Sequence, residues 1–259
     1  MSFRTLFAAT TALLLTSAAA NAAQVAALIG GDTIAMVDTA EKKATGTVKV
    51  SGINGMLVGI DVRPADGMLY GLVDDGTVVT IAKDGKATMK SKLDTMLTKG
   101  VTATVDFNPV ADRLRVMGSD GMSLRANVDD GKVTKDGSLK FAEADMHKGE
   151  TPMIVAGAYT NSMKGAKETA LYDVDATIGA LIKQAPPNDG VLNAVGKFGI
   201  KADSYAFDIS TAADGKNSAW LMAGDTLYSV DLATGKATAA GKIAGVSGKV
   251  HDIAALPAM

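Results

Sequence analysis

A three-residue phrase, apolar-Asp-apolar, recurs along the chain as Ile60-Asp61-Val62, Val105-Asp106-Phe107, Phe207-Asp208-Ile209 and His251-Asp252-Ile253. Gly157-Ala158-Tyr159 stands as a degenerate fifth copy, and the successive steps are 45, 52, 50 and 44 residues. Periods of this length mark arrays of supersecondary units, and about 40–50 residues is the interval of propeller blades. A unit of that kind cannot bury its apolar face alone, so the repeat constrains the fold more than any composition does.

A second pattern runs out of phase with the first. TIAMVDTAEKKAT (33–45), TVVTIAKDGKAT (77–88), SLRANVDDGKVT (123–134) and TLYSVDLATGKAT (226–238) each give an alternating apolar run, a polar turn and a Lys-x-Thr entry into another run. Alternation is the signature of a half-buried strand, and Gly85, Gly131 and Gly235 suit the positive φ of a short hairpin loop. Upstream of each hairpin lies another apolar run closed by a turn: VAALIGGD, MLYGLVDDG, RLRVMGSDG and SAWLMAGD. Four strands per unit follow. In the unit that begins at Ala158, Leu171–Asp175 fits either the second or the third strand. Pro186 and Pro187 cannot sit inside a central strand, so Pro186–Gly190 reads as a loop and this blade as the most deformed. At the ends, the chain opens with second, third and fourth strands and closes with a lone first strand at His251–Ala254. The two ends therefore complete one blade, which removes the free edges of a ring. The expected fold is all-β: a small propeller of five four-stranded blades over residues 23–259, closed by pairing of the N- and C-terminal strands. An open β-solenoid or a double sandwich is the alternative.

The phrases GIDVRPADGMLYGL (59–72), VDFNPVADRLRV (105–116), AYTN (158–161) and APPNDGVLNAVG (185–196) resemble a bacterial secreted family that carries only a domain-of-unknown-function label. The likeness covers essentially all of the chain after its leader. It implies a propeller-like exported protein and supplies neither an activity nor catalytic residues.

Residues 1–22 carry Arg4, the apolar stretch LFAATTALLLTSA and the triplet Ala20-Asn21-Ala22, the pattern of a cleavable secretory signal. Export to the periplasm is expected, with the extracellular medium as the other destination. Removing Arg4 leaves 25 basic against 28 acidic residues, a net charge of −3, which gives no electrostatic footprint for nucleic acid. No other stretch reaches the ~18 apolar residues of a membrane span. The absence of cysteine excludes a disulfide framework, a thiolate metal site and a cysteine nucleophile.

Phosphate-loop and nucleophile-elbow motifs are absent, and the turns Asp74-Asp75-Gly76 and Asp129-Asp130-Gly131 read as turn chemistry. His147 falls in a polar segment and reads as a solvated loop residue. His251 and Asp252 alternate along a strand and face opposite ways, so they form no local acid/base pair. The methionines are scattered without M-x-M or M-x-x-M spacing, which argues for core filling over copper binding. Tyr70, Tyr172, Tyr228 and Trp220 read as core aromatics, with sugar stacking as a weak alternative.

The repeated Asp is the sharpest feature. On first strands, Asp61, Asp106, Asp208 and Asp252 would occupy equivalent positions round the central axis, with Arg63 and Asn108 two residues on and on the same face as partners. Three roles compete: hydrogen bonding to backbone N–H groups of the same or the next blade, a channel site for a hard cation such as Ca²⁺, and a carboxylate acid/base pair. No cofactor is required by the sequence. The leading functional expectation is a monomeric, non-enzymatic scaffold that binds a protein or small-molecule ligand. The alternative is a hydrolase working at the channel mouth, either metal-assisted and lactonase-like or a carboxylate-based glycosidase.

Overall fold

A computed structural model describes residues 24–257. The expected leader, 1–22, lies outside the described residues. Among the described residues there are 21 strands in five sheets. Blade 1 combines β21 (Val250–Ala255) with β1 (Gln24–Ile29), β2 (Thr33–Asp38) and β3 (Lys43–Lys49). Blade 2 contains β4 (Leu57–Val62), β5 (Leu69–Val73), β6 (Thr77–Ile81) and β7 (Ala87–Lys92). Blade 3 contains β8 (Ala103–Asn108), β9 (Arg113–Gly118), β10 (Ser123–Ala126) and β11 (Val133–Lys135). Blade 4 contains β13 (Ile154–Tyr159), β14 (Leu171–Asp175), β15 (Ala180–Gln184) and β16 (Val191–Lys197), and blade 5 contains β17 (Tyr205–Thr211), β18 (Asn217–Ala223), β19 (Thr226–Val230) and β20 (Ala237–Lys242).

Each inner strand touches the next, from β4 through β8, β13, β17 and β21 back to β4, so the ring is closed. The fold is thus a five-bladed β-propeller, with the chain ends joined in blade 1 by antiparallel pairing of Ala26 with Ala254 and Ala27 with Ile253. All four expected hairpins form; Gly85, Gly131 and Gly235 turn three of them at φ of 83°, 76° and 72°.

Blade 4 departs from the common plan. Leu171–Asp175 is its second strand, preceded by the long connection Thr160–Ala170. A two-residue strand, β12 (Lys140–Phe141), adds to its outer edge in parallel to β16, giving five strands where four were expected. The Pro186–Gly190 segment is a loop holding one 3₁₀ turn, closed by Gly190 at φ 68°.

The core is divided among the blade interfaces. One apolar cluster fills each of the five gaps, and across the gap between blades 2 and 3 Tyr70 and Phe107 meet edge to face with centroids 5.2 Å apart. Outer strands such as β3 and β7 are largely exposed and polar, the usual protection of a sheet edge. Among the described residues, no helix is long and apolar enough to cross a membrane.

Candidate axial site

The inner strands carry their aspartates into the inter-blade seams next to the axis, where 4–6% of each residue is exposed. Backbone N–H groups satisfy them. Asp61 accepts from Val62 of its own strand and from Phe107 of blade 3, both at 2.6 Å. Asp106 accepts from Tyr159 of blade 4 at 3.0 Å, and Asp208 from Ile209 at 2.6 Å and from Ala255 of blade 1. Asp252 accepts from Ile253 at 3.0 Å and from Ile60 of blade 2 at 2.9 Å. Each carboxylate is therefore a clasp to the following blade, the first of the three roles raised by the sequence.

These bonds also fix the register round the axis. Asp61 binds the residue after Asp106, and Asp106 binds the residue after Ala158. By the same rule, Asp208 binding Ala255 makes Ala254 its equivalent in blade 1. Asp252, two residues earlier, binds Ile60, the residue after Gly59, which is itself two residues before Asp61. Asp252 thus lies one step along the axis from the other three, not at the same level as the spacing suggested. The level it shares with Gly59 is crowded: a Cβ on that glycine would collide with Val105 and sit 2.9 Å from the Asp252 carboxylate.

The main ring therefore consists of Asp61, Asp106 and Asp208, with Ala158 and Ala254 at the other two places. One oxygen from each of the three carboxylates lies within 4.8 Å of the others, a geometry that could hold a metal ion. Burial is the largest influence on all three and disfavours charge. It pushes Asp208 up to about 6. Asp61 and Asp106 are driven well above the usual carboxylate range by burial and then by their acidic neighbours, against the opposing pull of the backbone bonds. Asp252 is raised for the same reasons. Among the described residues, none of the four is in a salt bridge.

Arg63 and Asn108 do not partner the ring, which corrects the expectation for both. Arg63 donates to Asp112 at 2.8 and 2.6 Å, to Asp129 at 3.2 and 2.9 Å and to the Tyr70 hydroxyl at 3.3 Å. Its planar fork thus ties blade 2 to two turns of blade 3. Asn108 accepts from Val110 and Ala111 within its own turn, at 2.9 and 2.8 Å. Same-face spacing identified the strand side correctly but could not see that these side chains reach into loops.

Other expectations sort in the same way. His251 is exposed and Asp252 buried, on opposite faces of β21. His147 is less solvated than its segment suggests, since its ring is tilted against Phe141 at 5.4 Å and its Nδ1 lies 3.1 Å from Glu150. Asp129 is more than a turn residue, being held by Arg63 and by Lys90 at 2.8 Å. Tyr70 is buried, whereas Tyr172, Tyr228 and Trp220 are half-buried.

Arg115 and Asp173 are among the buried groups that escaped the sequence reading. Arg115 donates to Tyr159, Ser123, Asn188 and Asp136, and Asp136 also receives Arg125. Asp173, wholly buried in β14, has no hydrogen-bond partner for either carboxylate oxygen. The available signal was a charged residue at an apolar strand position, Arg115 in RLRV and Asp173 in LYDV.

Away from the axis, an open groove of about 690 Å³ runs between the β14–β15 turn and the segment entering β17. Ile178, Ile200 and Tyr205 line it with Lys197, Lys201 and Asp203. The Tyr205 hydroxyl donates to Ile200 and accepts from Ala202, both at 3.1 Å, which pins that wall.

Comparison with curated proteins gives no match. Among solved structures, a protein of unknown function from Bacteroides thetaiotaomicron aligns over 90% of this chain and 60% of its own, with 18% identity and a TM-score of 0.51. A protein of unknown function from Bacteroides caccae aligns over 84% and 72%, with 13% identity and a TM-score of 0.45. The glutaminyl cyclase of Myxococcus xanthus aligns over 74% and 77%, with 12% identity and a TM-score of 0.48. The first of these likenesses speaks to the fold alone. A family model described as a domain of unknown function, DUF4394, matches residues 33–254, and the chain therefore belongs to that family.

Proposed function

We propose that the protein is an exported, monomeric binding scaffold that holds a small-molecule or peptide ligand and performs no catalysis. The observation that carries this reading is the use made of the repeated aspartates: all four are sealed in the seams and bound to backbone N–H groups of the neighbouring blade. A general acid or nucleophile must reach its substrate within hydrogen-bond distance, and a carboxylate engaged in holding two blades together is poorly placed to do so. The groove beside Tyr205 has the size of a ligand pocket and is lined by both apolar and polar groups, among them two lysines and one aspartate. Its charge favours a ligand bearing an anionic group. The signal-like sequence pattern of residues 1–22 supports a periplasmic location, with release to the medium as the variant of that reading.

The test pairs a thermal-shift screen of small carboxylates and sugar phosphates with turnover assays on nitrophenyl glycosides and lactones. A ligand that stabilises the chain saturably, with the shift lost in Lys201→Glu, is the expected result. Hydrolysis abolished by Asp106→Asn would replace the scaffold with the channel-mouth hydrolase.

A further inference from the structure

We propose that the groove beside Tyr205 takes a monocarboxylate carried on an apolar body, with Lys197 as the counter-ion of its carboxylate; this rests on the scaffold reading and names the class of its ligand. The warrant is a departure of blade 4 from the repeat. In blades 1, 2 and 5 the first residue of the third strand lies opposite a lysine of the fourth: Thr33 opposite Lys49, Thr77 opposite Lys92 and Thr226 opposite Lys242. Each lysine pairs with an aspartate of the turn before that third strand, Lys49 with Asp32 at 3.2 Å, Lys92 with Asp75 at 2.5 Å and Lys242 with Asp225 at 3.0 Å. In blade 4 the same register sets Ala180 opposite Lys197. The turn before Ala180 reads Ala176-Thr177-Ile178-Gly179 and holds no acidic residue. Ile178 precedes the positive-φ glycine of this turn, as Asp75 precedes Gly76. Among the described residues Lys197 enters no salt bridge, and neither does Lys201, which lines the same groove.

The aspartate nearest this turn has another task. Asp175, wholly buried at the end of β14, accepts from the backbone N–H groups of Thr177 at 2.8 Å and of Ile178 and Met153 at 3.2 Å. It therefore braces the turn from inside. The Phe198 N–H donates to Gly179 at 2.9 Å, tying the turn to the segment whose far end the Tyr205 hydroxyl pins. The groove is thus preformed, which lowers the ordering cost of binding. Exposed ion pairs add little stability, so their absence in blade 4 costs the fold little and leaves Lys197 available. Two ammonium groups against Asp203 leave the groove one net positive charge. That charge matches a carboxylate better than a phosphate monoester, which carries about −1.5 to −2 at neutral pH. Ile178 and Ile200, both half-buried in the lining, offer contact to an apolar body.

The full chain, labelled with ¹⁵N, is titrated near neutral pH with octanoate, and with 1-octanol and glucose 6-phosphate for comparison. Octanoate should bind saturably, with amide shifts confined to 176–179 and 197–205. The neutral 1-octanol should bind about tenfold more weakly, as expected for loss of one charge-assisted bond. Lys197→Gln should weaken octanoate by about the same factor and leave 1-octanol unchanged, a split that a merely structural role of Lys197 would not produce. Ile178→Asp, which gives Lys197 the turn partner of the other blades, should abolish octanoate binding. Octanoate that moves no resonance at about 10 mM, or Lys197→Gln that binds it as wild type does, overturns the assignment. Glucose 6-phosphate bound in the groove without octanoate also overturns it, while the scaffold reading stands. The scaffold reading fails by a different readout, hydrolysis abolished by Asp106→Asn.

Discussion

A buried carboxylate can be hydrogen-bonded or left without a partner, and Asp61 and Asp173 show both cases in one chain. Asp61 accepts two backbone N–H groups, one from its own strand and one from the next blade. Asp173 accepts none, although it is entirely enclosed between blades 3 and 4. Burial drives the Asp173 carboxyl well above its ordinary 3.8, and the opposing influence of Arg115 is the weaker one. The folded state therefore holds its proton more tightly than the unfolded chain does. Stability from this group is fully present below the unfolded value and is lost as pH rises toward the folded one. Asp173→Asn removes the titration at nearly constant volume. The variant should melt above wild type at neutral pH, and the difference should shrink toward zero near the unfolded carboxylate value. An effect of about 1 kcal/mol corresponds to about 2–4 °C in a domain of this size, which differential scanning calorimetry resolves. An Asp173→Asn protein less stable than wild type at neutral pH would show that the carboxylate is ionised and paired with Arg115 instead.

Between elements, the blades are joined by apolar packing and by a few charged ties that span turns. Arg63 is the clearest: 7% exposed, it reaches from the end of blade 2 to Asp112 and Asp129 in two different turns of blade 3. Both acidic partners keep substantial contact with water, at 38% and 51% side-chain exposure, so part of their interaction is screened. Arg63→Met should therefore cost no more than about 1.5–3 kcal/mol, the range for hydrogen bonds to charged groups. Its local signature is faster amide exchange in the 108–112 and 127–132 turns, with inner strand β8 unaffected. Protection in those turns equal to wild type would show that the turns hold themselves. The strands and hairpins were legible in the sequence because alternation and turn glycines are local signals. What was hidden depends on partners far along the chain. The second-strand identity of Leu171–Asp175 follows from a long connection anchored by Asn161–Asn217 bonds to blade 5. The offset of Asp252 is visible only through its bond to Ile60, and β12 exists only because β16 offers it an edge. In the candidate site the aspartates were legible from their period, but their backbone partners carry no side-chain signal, and Arg63 and Asn108 were misassigned for that reason.

For the whole molecule, the decisive feature is how the ring closes. β21 supplies the inner strand of blade 1, pairs with β1, and touches the inner strands of blades 5 and 2. It also carries two of the clasps, donating Ala255 N–H to Asp208 and offering Asp252 to Ile60. A chain ending at Lys249 loses all of these at once, leaving β1, β17 and β4 with uncovered edges or faces. A circular permutant separates this closure from mere chain composition. Leu256 donates to Gln24 at 2.8 Å, so the ends of the described chain already lie side by side and a short linker joins them without strain. The new ends can be opened in the segment Asp94–Gly100, which connects blade 2 to blade 3 and lies outside the strands. In that permutant every blade is built from continuous chain, and the clasps at Asp208 and Asp252 are kept. It should fold cooperatively with a melting temperature within a few degrees of wild type, about the effect of 1–2 kcal/mol. The truncated chain should lose its cooperative transition, because two blade interfaces and the axial ring open together. If the truncated chain instead melts cooperatively, the other four blades must hold the ring without the closing strand, and closure would then contribute to the site near Asp208 more than to the fold.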